Sequence, residues 1–239
     1  MRRCAIVIPA LNEASTVSHV IQRAAAEDDC DVILVDDGSD DGTAQLAMNS
    51  GATVLPLADR LGAWGATQAG IRYAVANNYP IVVTMDADGQ HQACDITALI
   101  DPVITGAANF TIGTHPQRAS QSRQLAWWIL KKLSGLKHAD ITSGFRAYDQ
   151  KTATLLASEP ASILDYQDVG VLVLLKGAGL IGAEVPVEMR SRATGKSKVF
   201  ESWAKVFIYM AYSTVLSLSK RGSAHRYTKA REVEARRQA

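Results

Sequence analysis

The chain is poor in cysteine: Cys4, Cys30 and Cys94 are the only three in 239 residues. An odd number without metal-like spacing excludes a disulfide framework and a Cys-rich zinc module. It reads as reduced thiols in a cytosolic protein. Long hydrophobic runs are also missing. No uncharged apolar stretch reaches the roughly 18–20 residues that a membrane-crossing helix needs. The longest, Val206 to Ser219, would make about 21 Å of helix against a hydrocarbon core of about 30 Å. Arg2-Arg3 precede an apolar run from Cys4 to Leu11, as in a signal peptide. But Pro9 interrupts that run and no A-x-A-like site follows, so a buried first strand is the better reading. Two glycine signatures are absent as well. The turn after this strand is Pro9-Ala10-Leu11-Asn12-Glu13 rather than G-x-G-x-x-G, and no G-x-x-x-x-G-K-[ST] occurs. Dinucleotide dehydrogenases and P-loop enzymes thereby lose their main support.

Net charge is nearly absent too, at +1 from 25 Lys+Arg and 24 Asp+Glu. This neutrality is a cancellation. Residues 1–219 hold 18 basic and 22 acidic side chains, whereas residues 220–239 hold 7 and 2. A basic tail follows a mildly acidic body.

What is present is the composition of an ordinary globule, 47% hydrophobic and 21% charged, of a length that suits one large domain. The first half alternates two patterns. Apolar runs at 5–8, 32–35, 53–55 and 81–85 read as strands covered on both faces. Helical stretches at about 15–27, 41–50, 63–77 and 93–105 lie between and after them. This order predicts an open, mostly parallel α/β sheet with helices on both faces. Ligands of such sheets bind along the edge formed by the strand C-termini. The second half predicts a strand near 109–113, a helix around 122–135, a polar segment from Asp140 to Asp149 and a helix near 166–177. An extended stretch from Ala183 to Met189, a basic loop over 190–198 and a last helix over about 201–220 complete it.

Carboxylates gather where two of these strands end. Asp36-Asp37-Gly38-Ser39 follows the second strand, and Asp40-Asp41-Gly42-Thr43 opens the next helix. Turn and capping chemistry accounts for Ser39 to Thr43. It accounts poorly for two adjacent carboxylates on a buried strand, so capping and ligand binding stand level there. Asp86-Ala87-Asp88-Gly89-Gln90-His91 follows the strand at 81–85. Two carboxylates one residue apart can approach one hard cation, Mg²⁺ or Mn²⁺, which takes oxygen ligands and keeps waters or substrate phosphates. A zinc site is disfavoured, because His91 and Cys94 are only two soft ligands. Carboxylates and a divalent ion in place of a glycine cradle point to nucleotide-sugar chemistry.

An ordered set of motifs sharpens this. Pro9-x-x-Asn12-Glu13, Val35-Asp36-Asp37-Gly38-Ser39-x-Asp41-Gly42-Thr43, Asp86-Ala87-Asp88-Gly89-Gln90-His91 and Ser143-Gly144-Phe145-Arg146 come first. Glu184-Val185-Pro186-Val187 and Arg192-x-x-Gly195-x-Ser197-Lys198 follow. Together they resemble the family 2 glycosyltransferases of GT-A fold, and within them the polyprenyl- (dolichyl-) phosphate hexosyltransferases.

The resemblance implies an inverting transfer of a hexose from a GDP- or UDP-sugar to a polyprenyl phosphate, with Mg²⁺ or Mn²⁺ as cofactor. It implies that Pro9, Glu13 and Asp37 line the nucleoside pocket. Asp86, Ala87, Asp88 and Gln90 would bind the metal and the diphosphate, with Asp86, Asp88 and Gln90 as the metal set. Asp140 would stand near the transferred sugar, and Arg192 and Lys198 would reach phosphates from a loop. Arg118, Arg123 and Arg146 are the candidate cations for an acceptor phosphate, and Asp88, Asp140 and Arg146 the candidate catalytic groups. A phosphate acceptor is already an oxyanion near pH 7 and needs positioning; a hydroxyl acceptor needs a base, for which Asp140 is the candidate. Transfer to a glycan or small-molecule hydroxyl, and nucleotide-sugar binding without catalysis, stand as alternatives. One departure is that Arg60-Leu61-Gly62-Ala63-Trp64-Gly65 replaces a segment that usually carries Asn and Lys.

Residues 1–200 are expected to form the GT-A domain. Residues 201–239 would form an apolar helix and basic tail suited to lying on an anionic membrane surface. The protein expected is a cytoplasmic enzyme, peripheral on that membrane face, with no nucleic-acid partner.

Overall fold

The structure is a computed structural model that describes residues 4–27, 29–115, 140–162 and 169–190, with Lys132, Gly135, Leu136, His138 and Leu164. The sequence-predicted helices at 122–135 and 201–220, the 191–198 part of the basic loop and the tail lie wholly or mainly outside these residues.

Seven strands form one sheet in the order β3-β2-β1-β4-β6-β5-β7. They are β1 (Cys4–Ala10), β2 (Cys30–Asp36), β3 (Thr53–Pro56), β4 (Ile81–Thr84), β5 (Phe110–Thr114), β6 (Arg146–Asp149) and β7 (Gly182–Pro186). The pairs β1–β2, β2–β3, β1–β4 and β5–β7 are parallel. Only β6 runs against its two neighbours, β4 and β5. The polar segment at 140–149 therefore ends in a strand, which its short pattern Arg-Ala-Tyr-Asp did not announce.

Seven α-helices are described: α1 (Val17–Ala25), α2 (Thr43–Asn49), α3 (Gly62–Ala76), α4 (Ile96–Ile104), α5 (Gln150–Ala157), α6 (Glu159–Ser162) and α7 (Val169–Gly177), with a 3-10 turn over Ala93–Asp95 before α4. Alternation along the strands sends successive side chains to opposite faces. Ala5, Val7, Ile33, Val35 and Val82 join a core with Trp64 and Ile71 of α3, Leu156 of α5 and Leu172 of α7. Ile6, Ile8, Leu34, Ile81 and Val83 join the opposite core with Val20 and Ile21 of α1 and Leu99 of α4. Two buried faces explain the continuous apolar strand runs. On the first face α3 crosses so closely that a Cβ on Gly70 would lie 2.3 Å from Val7 Cγ1.

Chain order reverses at β1, since β2 and β3 lie to one side of it and β4 to the other. The carboxyl ends of β1, β2 and β4 carry the Pro9–Glu13, Asp36–Asp37 and Asp86–Asp88 motifs. They thus converge on the switch point, where open α/β sheets bind ligands.

Candidate active site

Backbone geometry at this edge is held by side chains of the motifs themselves. Asn12 has a left-handed φ of 55°. Its N–H donates to Ser39 Oγ (2.9 Å), and its own Oδ1 accepts from the Asp40 N–H (3.0 Å). The Glu13 N–H donates to Thr43 Oγ1 (2.9 Å) and the Ala14 N–H to Asp41 Oδ2 (3.0 Å). The first two motifs are therefore one interlocked unit. Burial works against ionisation of Asp41, but the Thr43 hydroxyl and the Ala14 and Thr43 N–H groups donate to its carboxylate and hold it below the usual range.

Asp37 is buried, and both its oxygens accept backbone hydrogen bonds at the start of α3. Leu61 N–H donates at 2.6 Å and Gly62 N–H at 3.0 Å. A carboxylate there also meets the positive end of the helix dipole. These bonds fix Asp37 at the start of α3 and leave each oxygen a further lone pair. Asp36 Oδ1 accepts from the Ser39 N–H (3.3 Å).

The Asp86–His91 loop differs in character. The Asp86 side chain is 48% exposed. Asp88 is buried, with Oδ1 accepting the Gln90 N–H (3.0 Å), and Ala87 packs into the core. Beneath Asp86, its N–H donates to His91 Nδ1 (3.3 Å), which lies 3.9 Å from Asp86 Oδ2. The His91 ring stacks on Phe145 with centroids 4.9 Å apart. On the other side a Cβ at Gly144 would come 2.9 Å from Asp86 Oδ1. Thr84 Oγ1 also donates to the Gly144 carbonyl (2.8 Å). The Asp86–His91 and Ser143–Arg146 motifs thus meet at Asp86. His91 and Gly144 were assigned no part from the sequence. Their presence inside two motifs was a signal, but only the fold shows that they touch.

Asp140 and Arg146 are both 0% exposed. Asp140 Oδ1 accepts from the Thr142 N–H (3.1 Å) and hydroxyl (3.2 Å). Arg146 Nε donates to the Ser143 carbonyl (2.8 Å) and one terminal nitrogen donates to the Ile141 carbonyl (3.1 Å). Its guanidinium grips the loop that presents Gly144. Pro9 and Glu13 are half-buried at the edge, and Gln90 Nε2 donates to the Arg190 carbonyl (3.3 Å). Arg118, Arg123, Arg192 and Lys198 lie outside the described residues.

The residues present suit a hard cation by their donors. Asp86 and Asp88 offer carboxylate oxygens on one loop, and Gly144 leaves the Asp86 carboxylate its space. Among the described residues no three His, Cys, Asp or Glu side chains group closely enough to hold a metal ion by themselves. An ion here would complete its shell from phosphate oxygens and water, the habit of Mg²⁺ and Mn²⁺.

Comparison with known proteins finds relatives along most of the chain. The chain is 30% identical over 216 residues to an undecaprenyl-phosphate mannosyltransferase of Micrococcus luteus, covering 82% of this chain and 87% of that one. It is 28% identical over 218 residues to a polyprenol monophosphomannose synthase of Mycolicibacterium smegmatis, covering 83% and 81%. Its fold is similar to that of glucosyl-3-phosphoglycerate synthase from Mycobacterium tuberculosis, crystallised with Mn²⁺, UDP and phosphoglyceric acid. There the TM-score is 0.71 at 23% identity, over 92% of this chain and 79% of that one. The family model for glycosyl transferase family 2 matches residues 5–153, and the chain belongs to that family of glycosyltransferases.

Proposed function

We propose that this glycosyltransferase moves a hexose from a GDP- or UDP-sugar to a polyprenyl phosphate, with inversion at the anomeric carbon and a divalent cation at Asp86, Asp88 and Gln90. The observation that carries the reading is the Asp86-Ala87-Asp88 loop at the switch point, with one exposed carboxylate braced from both sides. The printed activities of the Micrococcus and Mycolicibacterium relatives support the lipid phosphate as acceptor.

The cation, when bound, supplies charge stabilisation for the diphosphate as its bond to the sugar breaks. Asp86 and Asp88 hold that charge in place through the loop geometry described above. Pro9, Glu13 and Asp37 bound the nucleoside side of the edge, and Ala87 lets the loop pack close to a ligand. Arg190 N–H donates to the Gln90 carbonyl (2.9 Å), and His91 pairs with Met189 in an isolated bridge. Met189 and Arg190 thus sit against the Asp86–His91 loop, Arg190 two residues before Arg192 in sequence. In this reading Arg192 and Lys198 add charge-assisted contacts to the phosphates.

Asp140 is wholly buried in its turn with Thr142, a setting for a positioning group rather than a base. That favours an acceptor already ionised, a phosphate, which Arg118 and Arg123 would orient. Arg146 acts here by fixing the 141–145 loop. Residues 201–239 form, in this reading, a separate element that brings the 1–200 domain to an anionic membrane surface. No helix among the described residues is long and apolar enough to cross a membrane.

The test is a panel of UDP- and GDP-sugars with Mg²⁺ or Mn²⁺, with and without a short polyprenyl phosphate. Inverted glycosyl phospholipid as product is expected, with activity falling at least about 100-fold in Asp88→Asn. Transfer confined to hydroxyl acceptors, or a product of retained configuration by NMR, overturns the reading. Flotation with anionic liposomes should be lost on truncation at about residue 200.

A further inference from the structure

A cavity of about 120 Å³ opens beside α1, against the loop that follows Asp88. Its wall includes His19, Arg23, Glu27, Gly89, His91 and Arg190, and none of the aspartates of the candidate site. His19 and Arg23 are four residues apart on α1 and so share one helical face. Arg190 reaches the same space from the chain that follows β7. Among the described residues the side chains of His19, Arg23 and Arg190 make no hydrogen bond or ion pair. Among the described residues Glu27 is the one acidic side chain in the wall. In the described wall, two exposed guanidinium groups stand against one carboxylate, so this part of the cavity is cationic.

Size restricts what fits. At about 30 Å³ per water the space equals about four waters, while pockets for drug-sized ligands start near roughly 300 Å³. A tetrahedral oxyanion with some of its water fits. Guanidinium forks favour phosphate because each can give two parallel N–H bonds to it.

We propose that this cavity is a second anion site, which binds a phosphate-class oxyanion between Arg23 and Arg190 and is separate from the donor site. Its occupancy would tie α1 to Arg190. The Arg190 backbone holds Gln90, so the bound anion would also bear on the Asp86–His91 loop. The ligand is a free phosphate or the phosphomonoester head of a lipid, and both present the same group. The inference stands on the cavity and its cations and does not depend on the sugar or acceptor proposed above.

The experiment is a titration of the full chain with inorganic phosphate, followed by ¹H–¹⁵N NMR, in the wild type and in Asp88→Asn. Saturable shifts at Val20, Arg23, Gly89 and Gln92 are expected in both proteins. Arg23→Gln and Arg190→Gln should each weaken binding at least about tenfold, with Arg23→Lys between them and the wild type. Phosphatidylcholine vesicles with and without phosphatidate separate the sources. A headgroup ligand makes vesicle binding sensitive to Arg23→Gln, whereas a free-phosphate ligand leaves it unchanged while the titration still responds. Absence of saturable shifts at these residues, or wild-type affinity in both glutamine variants, overturns the proposal.

Discussion

Gly144 leaves unfilled the space that the Asp86 carboxylate uses: a Cβ there would stand 2.9 Å from Oδ1 and 3.2 Å from Oδ2. The glycine is required by this contact with a group 58 positions earlier in the sequence, not by any unusual backbone twist of its own. Gly144→Ala should therefore displace the carboxylate while leaving the fold intact. Expected is a fall of about 10–100-fold in Mn²⁺ affinity or activity, the usual cost of disturbing groups that orient a metal ligand. The melting temperature should stay near wild type. Metal titration beside thermal unfolding checks both halves.

His91 braces the same residue from below. His91→Ala removes the acceptor for the Asp86 N–H and the ring stacked on Phe145, with a stability cost of about 2 kcal/mol from the cavity and the lost stack. His91→Phe keeps the stack without the acceptor. It should recover much of the stability but not the metal affinity, as denaturant unfolding and metal titration will show.

Asp41 makes acid stability depend on the interlocked first motifs. Its folded-state pKa lies below the ordinary carboxylate value of about 3.9, so its contribution is present above about pH 4. It is lost as pH falls through the lower folded value. Asp41→Asn should destabilise the protein near pH 7, and the gap in melting temperature from wild type should narrow below pH 4. A gap that is constant from pH 7 to pH 3 would sink the assignment.

The thiols of Cys4 and Cys30 stand at paired positions on β1 and β2. The Cys4 thiol hydrogen-bonds Cys30, which with burial pushes Cys4 far up; the same bond lowers Cys30 despite its own burial. The Cys30 thiolate thus forms at lower pH than an ordinary thiol of about 8.5. Iodoacetamide at pH 7.5, read by peptide mass spectrometry, should label Cys30 and the exposed Cys94 and spare Cys4.

Legibility in the sequence followed physical range. The strands at 5–8, 32–35 and 81–85 were readable because burial on both faces leaves an unbroken apolar run. The strand at 53–55, expected to be covered on both faces, is instead a half-exposed edge strand, readable from its β-branched Thr53 and Val54. The helices between them were readable from periodicity. Strand β6 was not, because Arg146 is wholly buried on carbonyls that lie near only after folding. For the same reason α5 had no prior sign, although the Asp149 side chain accepts its Thr152 N–H (2.6 Å) as an N-cap. The carboxylate loop was legible as chemistry. Its supports were not, since the contact of Gly144 with Asp86 and the stack of His91 on Phe145 join segments more than fifty residues apart. Nor was the hold of Asp37 on the Leu61 and Gly62 N–H groups, which depends on where α3 begins.

The one strand that runs against the sheet has a consequence for the ligand edge. Because β6 is antiparallel to β5, with Ile112 opposite Arg146, the chain leaves β5 and enters β6 at the same rim. His115 and Asp140 are two gateposts there, and whatever chain joins them starts and finishes beside the ligand edge. Gly144, two residues before β6, makes room for the Asp86 carboxylate at this same rim.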